Sequence, residues 1–218
     1  LSLRIAAIAV VVSLPFALAA AYALARGRFR GKALFDATVH APLLMPPVLT
    51  GYVLLVLLGR EGVVGRWLHD ALGVSFAFHW TGAVVAAAVM AFPLFVRAIR
   101  LSIEAIPREI DEMAAGLGAR PWATFVHVVL PLSRPGIIAG MTLAFAKALG
   151  EFGATITFVS NIPGETRTIA LAMHTMLQVP GGEAGIGRLA IVSLVLAVGA
   201  LLASEWLVRR AAYRPLSE

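Results

Sequence analysis

The sequence predicts an all-α, polytopic membrane protein with about five membrane-crossing helices. Three observations carry the prediction. The 218 residues are 60% hydrophobic and only 14% charged, with a mean hydropathy of +0.88, whereas a soluble domain is roughly a quarter charged. The apolar residues fall in runs long enough to cross hydrocarbon. The basic residues sit between those runs rather than on one face with aromatic or polar readers, so the net charge of +6 points to membrane topology and not to nucleic acid. The absence of cysteine excludes disulfides, thiolate metal sites and cysteine nucleophiles.

A crossing helix needs roughly 20 mostly apolar residues. The first run, Ile5 to Ala25, is uncharged and interrupted only by Ser13 and Pro15. Arg4, the apolar stretch and the small residues from Ala17 to Ala25 also imitate a secretory signal. The run is long for a signal core, and the chain after it is just as apolar, so it reads as a span. Because the chain starts at Leu1 and not at Met, the expectation is that a few leading residues were trimmed or an alternative start codon was read literally.

The second run lies between His40 and Arg60 and is punctuated by Pro42, Pro46, Pro47 and Gly51, which predicts a kinked or non-helical beginning. The third, about Val74 to Val96, carries His79 and Trp80 where an interfacial anchor sits, and Pro93 predicts a kink near its end. The fourth, Pro135 to Val159, contains Lys147 and Glu151; the fifth, Leu189 to Leu207, is clean until Glu205. Between them, Ser160 to Arg188 is rich in Pro, Gly, Thr and charge. Its stretch Ile169 to Leu177 is too short to cross and predicts a surface or partly re-entrant helix.

Basic residues concentrate on the cytoplasmic side of short loops. Arg26, Arg28, Arg30 and Lys32 follow the first run; Arg97, Arg100, Arg108, Arg120 and Arg134 follow the third; Arg209, Arg210 and Arg214 follow the fifth. The other side has Arg4, Arg60, Arg66, Arg167 and Arg188. Twelve against five places the amino terminus outside and the carboxyl terminus in the cytoplasm. Residues 1–218 thus form one membrane domain with a long cytoplasmic loop at about 98–134.

That loop has helical grammar. Pro107 suits a first helical turn, with Glu109, Asp111 and Glu112 near the positive end of the helix. Ile106, Ile110, Met113, Ala114 and Leu117 recur at helical spacing and predict one apolar face. Gly118 sits where a helix ends in a left-handed residue. Pro121 can open a second short helix, with Trp122, Phe125, Val126 and Val129 as its stripe, ending at Leu130 and Pro131. Such a pair either lies on the lipid interface or fits a groove on a protein partner. The mixed acidic and basic surface favours the protein.

At this point the sequence resembles the inner-membrane permeases of binding-protein-dependent ABC importers. Glu112-Met113-Ala114, Gly118, Val128, Leu130 and Pro131 stand at the spacing of their Glu-Ala-Ala, Gly, Ile-x-Leu-Pro signature, with Met113 for an alanine and Val128 for the isoleucine. Over nearly the whole chain the similarity is to the molybdate permeases of this superfamily. It is carried by the stretch from Leu149-Gly150-Glu151-Phe152-Gly153-Ala154-Thr155 to Gly164-Glu165-Thr166-Arg167-Thr168, with support from residues 42–48, 91–94 and 180–183. Sulfate and thiosulfate permeases are similar but less close after Glu151.

The resemblance implies a type I importer (MetI-like) fold and a homodimer. It also implies two cytoplasmic ABC ATPase subunits that hold ATP and Mg, and an external molybdate-binding protein. Glu112, Met113, Ala114, Gly118, Trp122, Phe125, Leu130 and Pro131 would dock on the ATPase. Alternatively, Trp122 and Phe125 pack under the bundle.

Lys147 and Glu151, four apart, would share a helix face and neutralise each other. Intramembrane charge defaults to a functional reading, and a structural tie between two permeases fits as well. Along the pathway or gate, Phe152, Gly153, Thr155 and Thr157 join them, the threonine hydroxyls and the amides near Gly153 being uncharged donors that bind an anion weakly enough to release it. Asn161, Glu165, Thr166 and Arg167, with Gly164, form an outer loop for the binding protein or a solvated turn.

His40, His69, His79, His127 and His174 have no metal spacing, so no metal site is expected, and no cofactor is expected in this chain. No phosphate-cradling glycine loop occurs. No serine has a plausible base and orienting acid, so an enzyme would rest on Lys147 and Glu151 alone. The anion remains open between molybdate, tungstate and sulfate.

Overall fold

The computed structural model describes residues 1–212; Arg214, counted above with the basic residues, lies outside the described residues. The described chain is helical throughout, with α1 (Ser2–Arg26), α2 (Lys32–Leu44), α3 (Pro47–Leu58), α4 (Val63–Leu72) and α5 (Trp80–Glu104) in the first half. The second half has α6 (Arg108–Gly116), α7 (Pro121–Thr124), a π-helical turn (Phe125–Val129), α8 (Leu130–Leu132), α9 (Arg134–Leu149), α10 (Gly153–Val159), α11 (Ile169–Leu177) and α12 (Glu183–Ala212). Three helices are long and apolar enough to cross a membrane alone, and up to five crossings result if each sharply bent helix pair counts as one.

α5 is the central helix, packed against α1 on one side and α9 on another. Small residues make this possible. Ala6, Ala9, Ala17, Ala20 and Ala21 of α1 and Ala83, Ala86, Ala87 and Ala91 of α5 are buried, and in lipid close backbone approach takes over from the hydrophobic effect as the source of helix association. α1 and α5 run parallel. The Arg4 guanidinium stacks 4.1 Å from the Trp80 ring at one end, and at the other Arg26 Nη2 donates to the Ile106 carbonyl at 2.8 Å. α12 packs on α9 and α11 and leaves Ile191, Leu194, Val195 and Leu202 exposed, a face suited to lipid.

Several elements differ from the sequence expectation. The second run is two helices, α2 and α3, bent by 114° at Met45–Pro46. Pro42 lies inside α2, and α2 begins eight residues before His40, at Lys32, because its first half is amphipathic and charged. α5 passes through Pro93 unbroken and starts at Trp80 and not Val74. The fourth run is also broken. α9 stops at Leu149 and α10 starts at Gly153, so Glu151 lies in the break instead of on a shared helix face. α4 was not anticipated.

Candidate functional site

Two regions gather the polar chemistry, one at the end of the bundle where α5 stops and one at the α9–α10 break. At the first, α5 ends at Glu104 and Pro107 precedes α6. Leu117 closes α6, and Gly118 turns the chain at φ 82°, a conformation in which a Cβ would clash with its own backbone. Pro121 then starts α7, where a missing N–H costs nothing. The result is a helical elbow.

The apolar face expected along α6 is divided. Ile106 is buried and Ile110 packs on the core, whereas Met113, Leu117 and Trp122 are 61%, 90% and 73% exposed. Phe125 turns inward, its ring edge-to-face with Tyr22 at 4.8 Å, so of the two aromatics only Trp122 faces outward. Val129 is fully buried. Arg26 clamps the elbow to α1 by an ion pair from Nε to Asp111 Oδ2 at 3.0 Å together with its bond to the Ile106 carbonyl. A part fixed to the bundle at one side and apolar on the other transmits force to whatever holds its outer side. Glu112 is exposed beside this patch, Ala114 half-buried, and Leu130 and Pro131 half-buried on the bundle side.

At the second region, the Glu151 carboxylate is 2% exposed. Its Oε2 accepts from Lys147 Nζ at 2.9 Å and its Oε1 from the Ala154 backbone N–H at 3.0 Å. Glu151 therefore neutralises a cation from α9 and caps α10, a placement the positive helix end favours. The pair is closed on itself and offers no free base or acid.

α10 lies directly on α3. A Cβ at Gly51 would stand 2.5 Å from the Ala154 carbonyl oxygen and 2.8 Å from Ala154 Cα, and one at Gly153 would stand 2.7 Å from Pro47 Cβ. Thr157 donates to the Gly153 carbonyl at 2.9 Å, so its hydroxyl proton is already used. Thr155 is buried. Thr50, on α3 and not anticipated from sequence, is buried with its hydroxyl unpaired. The Phe152 ring lies 4.8 Å from that of His174, tilted 49° to it.

The loop after α10 is tied mostly to itself. Ser160 adopts φ 63°, ψ −165°, a region nearly reserved for glycine. It is held by Thr166, whose hydroxyl donates to the Ser160 carbonyl at 3.1 Å and accepts from Ile162 N–H at 2.8 Å. Thr166 is fully buried, which removes it from any contact with a partner. Asn161 donates to Thr175 Oγ1 at 2.7 Å and accepts from Arg167 Nε at 3.0 Å. Glu165 accepts from the Trp80 N–H and pairs with His79 at 3.0 Å, joining the loop to the start of α5.

Residues 13–213 match the family described as binding-protein-dependent transport system inner membrane components. The chain belongs to this family. It is 57% identical over 209 residues to the molybdenum transport system permease protein ModB of Escherichia coli K12, covering 96% of this chain and 91% of that one. It is 51% identical over 210 residues to the ModB protein of Haemophilus influenzae, covering 96% and 92%. The fold resembles that of the MetNI methionine ABC transporter at a TM-score of 0.76 and 16% identity, over 96% of this chain and 92% of that one. The chain is thus a permease, a transport subunit of the inner membrane with the type I importer fold, and not itself an enzyme.

Proposed function

We propose that this chain is the membrane-spanning permease of an ATP-driven importer of molybdate, with tungstate sharing the route. The observation that carries the reading is the 57% identity, over nearly the full length, to a molybdenum permease. Sulfate and thiosulfate are not favoured.

In this reading two copies pair, and two ABC ATPases carrying ATP and Mg grip the elbows from the cytoplasm through Met113, Leu117 and Trp122, beside Glu112. Ala114 and Gly118 set the turn, while Phe125, Leu130 and Pro131 seat it under the bundle. The basic residues Arg26, Arg28, Arg30, Lys32, Arg97, Arg100, Arg108, Arg120 and Arg134 all lie near the elbow end, which supports a cytoplasmic elbow and an outside amino terminus. A molybdate-binding protein docks at the opposite end, where Glu165, Asn161 and Arg167 are the half-exposed polar groups of the 160–168 loop. ATP-driven closure of the motors draws the elbows together, and the force passes through α5 and α9 to the α3–α10 pair.

The parts of that pair have distinct roles. Gly51 and Gly153 allow α3 and α10 to close backbone to backbone, which seals the path against water. Lys147 and Glu151 fix the α10 start without presenting net charge to a passing dianion. Thr155 and Thr50 supply neutral hydroxyls, and Phe152 the adjoining apolar wall. Alternating access follows from opening and closing this contact.

The test is uptake of labelled molybdate into vesicles reconstituted with the permease, the ATPase and the binding protein. Uptake that needs ATP and all three proteins supports the reading. Equal uptake without ATP or without the binding protein overturns it.

A further inference from the structure

Between the first half of α2 and the last turns of α5 lies a cleft of 570 Å³, and its charges are unevenly paired. Ala33 and Ala37 keep the α2 side open, while Asp36, Arg97, Arg100 and Glu104 bring charge to it and His40 an imidazole. Arg100 uses both acids, donating from Nε to Glu104 Oε1 at 2.7 Å and from Nη1 to Asp36 Oδ2 at 3.1 Å. The remaining Asp36 oxygen, Oδ1, lies 3.0 Å from His40 Nδ1. Arg97 is exposed, lines the same cleft, and has no hydrogen bond or ion pair among the described residues.

The position of the cleft gives the free guanidinium meaning. Gly82, Ala86, Met90, Pro93, Arg97, Arg100 and Glu104 recur at helical spacing on one face of α5. The upper part of this face is covered by α10, since a Cβ at Gly82 would meet the Val159 side chain. Arg97 lies about 22 Å further along the helix, at 1.5 Å per residue. The cleft is therefore beneath the α3–α10 pair, on the same side of α5 and at the elbow end.

We infer that this cleft is a tetrahedral-oxyanion site in which Arg97 is the principal donor. A guanidinium fork matches two oxygens of such an anion. One unpaired cation in an open cleft, beside two acids that share the single Arg100 guanidinium, holds the anion loosely, as a release site requires. The transported oxyanion and the phosphate of an inner-leaflet anionic lipid share this chemistry. Identifying the ligand as cargo in transit rests on the importer reading; the site itself does not.

The experiment uses the permease–ATPase complex in nanodiscs, made once with zwitterionic lipid alone and once with added phosphatidylglycerol. Binding of labelled molybdate and of inorganic phosphate is measured by equilibrium dialysis, and retained phosphatidylglycerol by mass spectrometry. Arg97→Gln is expected to weaken oxyanion binding about tenfold or more, the scale of a lost charge-assisted pair, and Arg97→Lys less. Glu104→Gln frees one side of Arg100 and is expected to strengthen binding several-fold.

If the oxyanions respond in this order in zwitterionic discs, the site holds soluble anion. If only phosphatidylglycerol retention follows the order, the site stands and its occupant is lipid. If all variants assemble with the ATPase and bind every probe as the wild type does, the site is overturned. Because phosphate and lipid are read without transport, a wild-type complex that fails to import molybdate would defeat the importer reading and leave this test standing.

Discussion

Removing the charges at the α9–α10 break one at a time and then together has an outcome fixed by burial. Glu151 is 2% exposed, and its two oxygens are held by Lys147 Nζ and Ala154 N–H, whereas the Lys147 side chain is 30% exposed. Lys147→Met leaves a buried carboxylate with one backbone partner, and breaking a buried pair in this way costs about 3–5 kcal/mol. Glu151→Gln keeps an acceptor for Ala154, and the stranded ammonium reaches water, so the cost falls to about 1–2 kcal/mol. The double variant strands no charge, and its cost is expected near the smaller single value, which makes the coupling between these neighbours as large as the Lys147→Met cost itself, about 3–5 kcal/mol. Stability can be followed by dodecyl sulfate titration in mixed micelles, using the fluorescence of the four tryptophans. A Lys147→Met variant no less stable than Glu151→Gln, or a double variant equal to the sum of the singles, would refute the buried pair.

Leu117→Glu, at a residue 90% exposed, is expected to shift fold stability by no more than about 0.5 kcal/mol while lowering ATPase association at least tenfold in a pull-down. Gly51→Ala places a Cβ 2.5 Å from the Ala154 carbonyl oxygen, where no side chain can give way. The expected loss is about 1–3 kcal/mol, read as a lower unfolding midpoint together with slower uptake. Arg26→Met removes both the 3.0 Å ion pair to Asp111 and the 2.8 Å bond to the Ile106 carbonyl. The ATPase should still bind, but more ATP should be hydrolysed per molybdate imported, measured by parallel phosphate release and uptake.

The elbow was legible because each of its turns is set by a residue with one strong backbone preference. Pro107 and Pro121 stand at helix starts, and Gly118 takes the positive φ its position predicts. The long uninterrupted runs in α1 and α12 were equally plain.

The α9–α10 break was hidden because hydropathy is continuous from Pro135 to Val159 and no proline marks it. The available signal was Gly150-Glu151-Phe152-Gly153, in which a buried acid needs donors that a fresh helix start supplies. The first half of α2 was missed because Lys32 reads as loop charge, and the partner that holds Asp36, Arg100, comes only from α5. α4 left a weak sign, with Val63, Val64, Trp67, Leu68 and Leu72 at helical spacing. Which parts of the α6 and α7 stripes face the bundle depends on Tyr22 and Arg26, far away on α1, and spacing within the stripes holds no record of that.

The central claim is that the elbow is a handle gripped by a separate motor. A photo-crosslinking residue at position 117 of the assembled complex, in nanodiscs under illumination, tests it most directly. The account predicts a covalent product with the ATPase that changes in yield when ATP is bound, and little product with lipid. Crosslinking to lipid alone, with and without ATP, would contradict it.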